Sequence, residues 1–163
     1  MKQAFTRIFL VAMITFATFN LFAQRAALSG DWKLDEKKSE LGEFARAATS
    51  IKTDQKENAI TITRVTPGFN GGDPMTTTIT LPFDGKVVES EGFRGSKRKS
   101  TAKWSDDGKT LVVSNTMSFE RDGQTSEFKS TESWSITKNG LLSVVTHSNS
   151  PRGESTVKAI YSK

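Results

Sequence analysis

The chain has 163 residues, no cysteine and a single histidine. Disulfides therefore cannot hold it, and zinc or copper sites and histidine-based triads have too few side chains to be expected. The formal charge of +5 is spread along the chain; removing Lys2 and Arg7 from 23 basic side chains leaves 21 against 18 acidic ones, too mild an excess to point to an anionic macromolecule.

Those two cations open the first element. Met1 to Arg7 is basic, Ile8 to Phe19 is mostly apolar and uncharged, and Leu21-Phe22-Ala23 ends in a small residue before Gln24-Arg25. That is the layout of a secretory signal peptide, with cleavage after Ala23 or, alternatively, after Ala26 or Ala27. Thr15, Thr18 and Asn20 break the apolar run, which falls short of the roughly 20 residues that span a bilayer. We expect an exported protein, periplasmic or secreted, without a stable membrane anchor. Residues 24–163 then form one domain whose core must come from apolar burial alone.

Leu28 to Asp35 alternates, with Leu28, Gly30, Trp32 and Leu34 on one side. Residues 36–48 do not. Leu41, Phe44, Ala45 and Ala48 have helical spacing interrupted by Gly42, which predicts a loop with room for one helical turn, lying over a barrel opening. Thr49 to Asp54 and Ala59 to Val65 read as a hairpin around Lys56-Glu57-Asn58, with Ile60 and Ile62 facing one way and Thr61 and Thr63 the other. Pro67 to Pro74 is a loop. Met75 to Leu81 is Thr-rich and β-prone, and Pro82-Phe83-Asp84-Gly85 turns it back into Lys86 to Glu91. A loop over Gly92 to Arg98 leads into the clearest stretch.

Residues 100–147 carry one pattern twice. Thr101-Ala102-Lys103-Trp104-Ser105 leads through Asp107-Gly108 into Leu111-Val112-Val113, and Thr131-Glu132-Ser133-Trp134-Ser135 leads through Asn139-Gly140 into Leu141 to Val145. Asp-Gly and Asn-Gly accept the positive φ angles of tight hairpin turns. Asp122-Gly123 supplies a third turn, so four antiparallel strands follow one another. The chain closes on Gly153 to Ser162, with Val157, Ala159 and Tyr161 on one face. Nine or ten short strands with short connections and no convincing helix predict an all-β fold, an antiparallel meander closing into a β-barrel of about 8–10 strands. Closure also removes the edges that a flat Thr- and Ser-rich sheet would expose.

Gly30-Asp31-Trp32-Lys33-Leu34-Asp35 with Lys38-Ser39, Ser100-Thr101-Ala102-Lys103-Trp104, and Ser150-Pro151-Arg152-Gly153-Glu154 resemble a family of small secreted bacterial proteins described as lipocalin-like. The resemblance covers nearly the whole of residues 24–163 and implies the barrel. Gly30-x-Trp32 is also similar to the opening of lipocalins, which implies that Trp32 closes one end.

Alternation then separates inside from outside. From Leu111 one face carries Leu111, Val113, Asn115, Met117 and Phe119, which hydrophobicity turns inward. On the next strand the inward set is Phe128, Ser130, Glu132, Trp134 and Ile136. A filled core would avoid a carboxylate, because a buried unpaired charge is costly; a ligand cavity uses a few polar groups in an apolar wall. The competing position for Glu132 is near a rim, solvated or paired with Lys or Arg. The basic run Arg94, Lys97, Arg98, Lys99 and Lys103 reads as a solvated loop or, alternatively, a seat for an anionic headgroup. It lacks the interleaved aromatics of nucleic-acid binders. His147 among Thr and Ser reads as a surface or rim residue, Asp106-Asp107 as a turn, and Glu89 and Glu91 as a solvated strand edge.

These residues point to a binding protein rather than an enzyme. We expect a small, largely apolar ligand inside the barrel, contacted by Trp104, Asn115, Met117, Phe128, Ser130, Glu132 and Trp134. No catalytic residue, metal site, cofactor or nucleic-acid partner is expected. The alternative is an envelope or partner-interaction protein with a filled core, acting through its loops.

Overall fold

Alternation becomes register in the computed structural model, which describes residues 24–42, 47–68, 71–92, 95–121, 124–150 and 153–163. The leader, Phe44, Ala45, the Asp122-Gly123 turn and Arg94 lie outside the described residues. Ten strands are described: β1 (Gly30–Leu34), β2 (Ser50–Gln55), β3 (Ala59–Thr66), β4 (Met75–Pro82), β5 (Val88–Glu91), β6 (Lys97–Trp104), β7 (Thr110–Arg121), β8 (Gln124–Ile136), β9 (Leu142–Ser150) and β10 (Gly153–Ser162). A 3-10 turn covers Glu36–Lys38.

All ten belong to one antiparallel sheet in the order β4-β3-β2-β1-β10-β9-β8-β7-β6-β5. Every pair of chain neighbours except β4 and β5 is hydrogen-bonded, and β1 pairs with β10, so the meander curls round into a nearly closed barrel. The two free edges, β4 and β5, face each other across a seam without a ladder between them. Gly108 (φ 66°) and Gly140 (φ 75°) take the left-handed conformation that their hairpins require. On the outer face, Thr61–Thr80 and Thr63–Thr78 hydroxyl pairs, each 2.9 Å, tie β3 to β4.

Two strand starts differ from the expectation. β5 begins at Val88, not Lys86, because the Asp84 carboxylate accepts a hydrogen bond from the Lys86 N–H at 3.0 Å and prolongs the turn. β6 begins at Lys97, so Lys97 and Arg98 are strand residues and not loop. Arg98 pairs with Ser90 on one side and Met117 on the other. Charge concealed an alternation that runs Arg98, Ser100, Ala102 inward and Lys97, Lys99, Lys103 outward.

The core fills one end of the barrel. Trp32, Ile60, Ile62, Leu81, Leu111, Trp134 and Leu142 are buried there, beneath Leu28 from the segment that precedes β1. That segment crosses the closed end: the Ala26 N–H bonds to the Gly108 carbonyl at 2.9 Å, Arg25 reaches the Glu57 carbonyl at 2.6 Å, and the Leu28 N–H bonds to Gln55 Oε1 at 2.9 Å. Trp32 Nε1 donates to the Leu28 carbonyl at 3.0 Å and to Thr53 Oγ1 at 3.1 Å. A Cβ on Gly30 would stand 3.2 Å from the Trp32 ring, so the bare glycine is what lets the indole lie against its own strand. This gives Gly30-x-Trp32 a physical reading.

Candidate functional site

Inward residues change character from the closed end to the open one. β7 and β8 set the layers through their register: Leu111 opposite Trp134, Val113 opposite Glu132, Asn115 opposite Ser130 and Met117 opposite Phe128. β9 continues them with Val144, Thr146 and Ser148. The lowest layer is packed. Above it the chain's inward side chains no longer meet, and two cavities open.

The larger, about 360 Å³, lies between β2, β3, β8, β9 and β10. Its wall is mixed: Ala48, Ile51, Trp134, Val144, Val157 and Ala159, with Phe128 toward the mouth, are interspersed with the hydroxyls of Thr66, Thr146, Ser148 and Ser155. The smaller, about 140 Å³, is lined by Arg98, Asn115, Met117 and Ser130. Both are bounded by Arg64, Phe128, Glu132 and Ser148, so they meet at one wall. A third space of about 50 Å³ lies behind the seam between the β4 and β5 edges.

The shared wall is an ion pair. Ile60, Ile62 and Arg64 alternate on β3, which carries the arginine inward behind two core residues. Arg64 Nη1 and Nη2 donate to Glu132 Oε1 and Oε2 at 2.9 and 2.5 Å, a bidentate fork. Trp134 Nε1 donates to Glu132 Oε2 at 2.8 Å, and the guanidinium lies 5.1 Å from the Trp134 ring centre. The Glu132 side chain is 9% exposed and that of Arg64 25%. Burial alone would push the Glu132 carboxyl up, but Arg64 and the Trp134 N–H outweigh it and hold it below the usual carboxylate range. Burial would likewise lower the Arg64 guanidinium, and Glu132 more than offsets it. Tyr161, whose ring closes the β10 side, is pushed up to about 12, first by burial and also by the Glu132 charge, against the opposing charge of Arg64. Its hydroxyl is neutral at physiological pH.

Six of the seven residues expected around a ligand therefore come together. Phe128, Glu132 and Trp134 line the larger cavity, and Asn115, Met117, Phe128, Ser130 and Glu132 the smaller. Trp104 is not among them. It packs edge-on against Phe83, ring centres 5.6 Å apart, with Arg25 stacked over both rings near the closed end. Trp104 stands opposite Leu111 in the register, at the packed end and away from both cavities. Glu132 is inward as expected, yet its oxygens are already engaged by Arg64 and Trp134. Its partner lies 68 residues away on a strand that is not its neighbour, and the sequence reading did not find it.

Arg98, read as part of a solvated basic run, is half-buried, and its Nε is enclosed without a hydrogen bond. Lys97 and Lys99, by contrast, are exposed. His147 is on the outer face, with Nδ1 2.8 Å from the Thr156 hydroxyl. Among the described residues no three acidic or histidine side chains gather as a metal site would require.

Compared with known sequence families and with curated proteins, the chain matches none. Among solved structures it is similar to a zebrafish ileal bile acid-binding protein complexed with cholic acid. The TM-score is 0.51 at 17% identity, over 83% of this chain and 97% of that one. At that identity the likeness is one of fold alone.

Proposed function

We propose that this is an exported binding protein that holds a small, largely apolar molecule inside its barrel. The observation that carries the reading is the 360 Å³ cavity, whose wall joins aliphatic and aromatic side chains to a few hydroxyls and whose floor is the bidentate Arg64–Glu132 pair to which Trp134 donates. A pre-formed concave site with few polar groups is what small-molecule binding requires. The pairing matters, because Arg64 and Glu132 cancel each other's charge and leave the larger cavity open to an apolar occupant. That a barrel of similar fold carries cholic acid is consistent with this use of the interior. Export rests on the basic, apolar and small-residue succession of residues 1–23.

Native mass spectrometry of the protein purified from its own host reads both parts of the proposal. We expect a polypeptide mass beginning at Gln24 and additional mass from a small molecule that leaves on denaturation. A chain retaining Met1 would contradict export. Preparations that never carry or accept an apolar small molecule would contradict the binding role.

A further inference from the structure

Among the described residues, the interior holds two guanidinium groups, Arg64 and Arg98, and one carboxylate, Glu132. Glu132 forks to Arg64, which leaves Arg98 without an ion-pair partner of its own and with only the more distant field of Glu132. Among the described residues Arg98 forms no ion pair, and its buried Nε forms no hydrogen bond. Lys129, the other cation at the smaller cavity, is paired with Glu127 at 3.4 Å on the surface. The remaining wall of that cavity is neutral: Asn115, Ser130 and Ser148 are polar, Met117 and Phe128 apolar. The Ser100 hydroxyl already donates to Asn115 Oδ1 at 2.7 Å, which leaves the Asn115 amide N–H groups available as donors. A half-buried cation beside donors, in a space that shares a wall with the larger cavity, has the chemistry of an anion seat.

We propose that the bound molecule is amphipathic and carries a single negative oxyanion, such as a carboxylate, whose charged end sits against Arg98 while its apolar part fills the larger cavity. This rests on the binding reading above and specifies the class of ligand. Burial and the nearby positive charge of Arg64 both disfavour the Arg98 cation, with Glu132 only partly compensating; an incoming anion relieves both. The order of the site follows from the same geometry. Arg98 stands opposite Met117 and close to exposed Phe128, on the mouth side of the paired Arg64 and Glu132. An apolar tail enters past it, and the head stays behind. A second negative charge on the head would meet Glu132, so one charge is favoured over two.

The test is calorimetry on the purified protein with dodecanoate and dodecanol, both below micelle-forming concentrations. These probes share a tail and differ in the head. Dodecanoate is expected to bind about tenfold or more tightly than dodecanol, because a charge-assisted hydrogen bond is roughly twice as strong as a neutral one. Arg98→Met is expected to remove that preference while leaving dodecanol affinity in place. Lys99→Met, which deletes the adjacent outward charge, is expected to keep it. Equal affinity of the two probes for the wild-type protein overturns the anion seat and leaves the binding role standing. A preference that survives in Arg98→Met, or disappears in Lys99→Met, also overturns it. If neither probe binds, the binding role itself is removed. The wild-type comparison decides even if Arg98→Met does not fold.

Discussion

Trp32→Ala is expected to cost about 3 to 5 kcal/mol in denaturant melts, as do other truncations of fully buried aromatics. The indole is 2% exposed and seated on Leu28 and Thr53, and its N–H shares the Leu28 carbonyl with the Thr53 hydroxyl, which also donates to it. Three elements depend on it: β1, β2 through Thr53, and the segment before β1 that crosses the barrel end. Lys163 caps the ring from the other side at 4.9 Å. Alanine would leave a cavity where the packed layer begins and would remove one of the two donors at the Leu28 carbonyl, the Thr53 hydroxyl remaining, so the transfer and cavity losses dominate. A cost below about 1 kcal/mol would mean that the closed end is held by something other than this tryptophan.

The second large effect lies at Glu132. Glu132→Gln removes the charge that compensates Arg64, and breaking a buried pair from one side costs about 3 to 5 kcal/mol. We expect about 3 kcal/mol, the low end, because Arg64 keeps contact with a cavity that water can enter. Arg64→Met combined with Glu132→Gln should be less destabilised than Glu132→Gln alone, since no charge is then stranded. The pH dependence has a definite sign. The folded Glu132 carboxyl lies below its unfolded value, so its contribution is fully present above about pH 4.3 and is lost as pH falls through the folded pKa. The gap in stability between wild type and Glu132→Gln should therefore narrow on acidification. A gap that is pH-independent, or smaller than about 1 kcal/mol at neutral pH, would contradict a buried ion pair.

The Glu132 result bears on how much the chain revealed before its structure. Alternation assigned the inward faces of β7 and β8 correctly, because a period of two leaves no other way to bury Leu111, Val113 and Trp134 together. The same rule applied to β3 puts Arg64 behind Ile60 and Ile62, and applied to β6 it puts Arg98 behind Ala102 and Ser100. Both were legible, and both were passed over because a cation at the end of a strand reads by default as solvated. What no local pattern contains is closure. Arg64 meets Glu132 across the interior, not along a ladder, so the pair depends on how the sheet curls and how far its strands are offset. That geometry also decided the fate of Trp104, inward by alternation but placed among Phe83 and Arg25 at the packed end. The choice between a filled core and a cavity was less exclusive than it looked. The barrel is packed around Trp32 and Trp134 and hollow above them.

Occupation of that hollow is the central claim, and Trp134 reports on it most directly. It is one of three tryptophans; it lines the larger cavity, while Trp32 and Trp104 lie at the packed end. Bromododecanol, whose bromine quenches indole emission on close approach, should quench part of the protein's fluorescence in a saturable way. That saturable part should vanish in Trp134→Phe and persist in Trp104→Phe. Quenching that never saturates, or saturable quenching unchanged by Trp134→Phe, would show that the apolar probe does not enter the barrel.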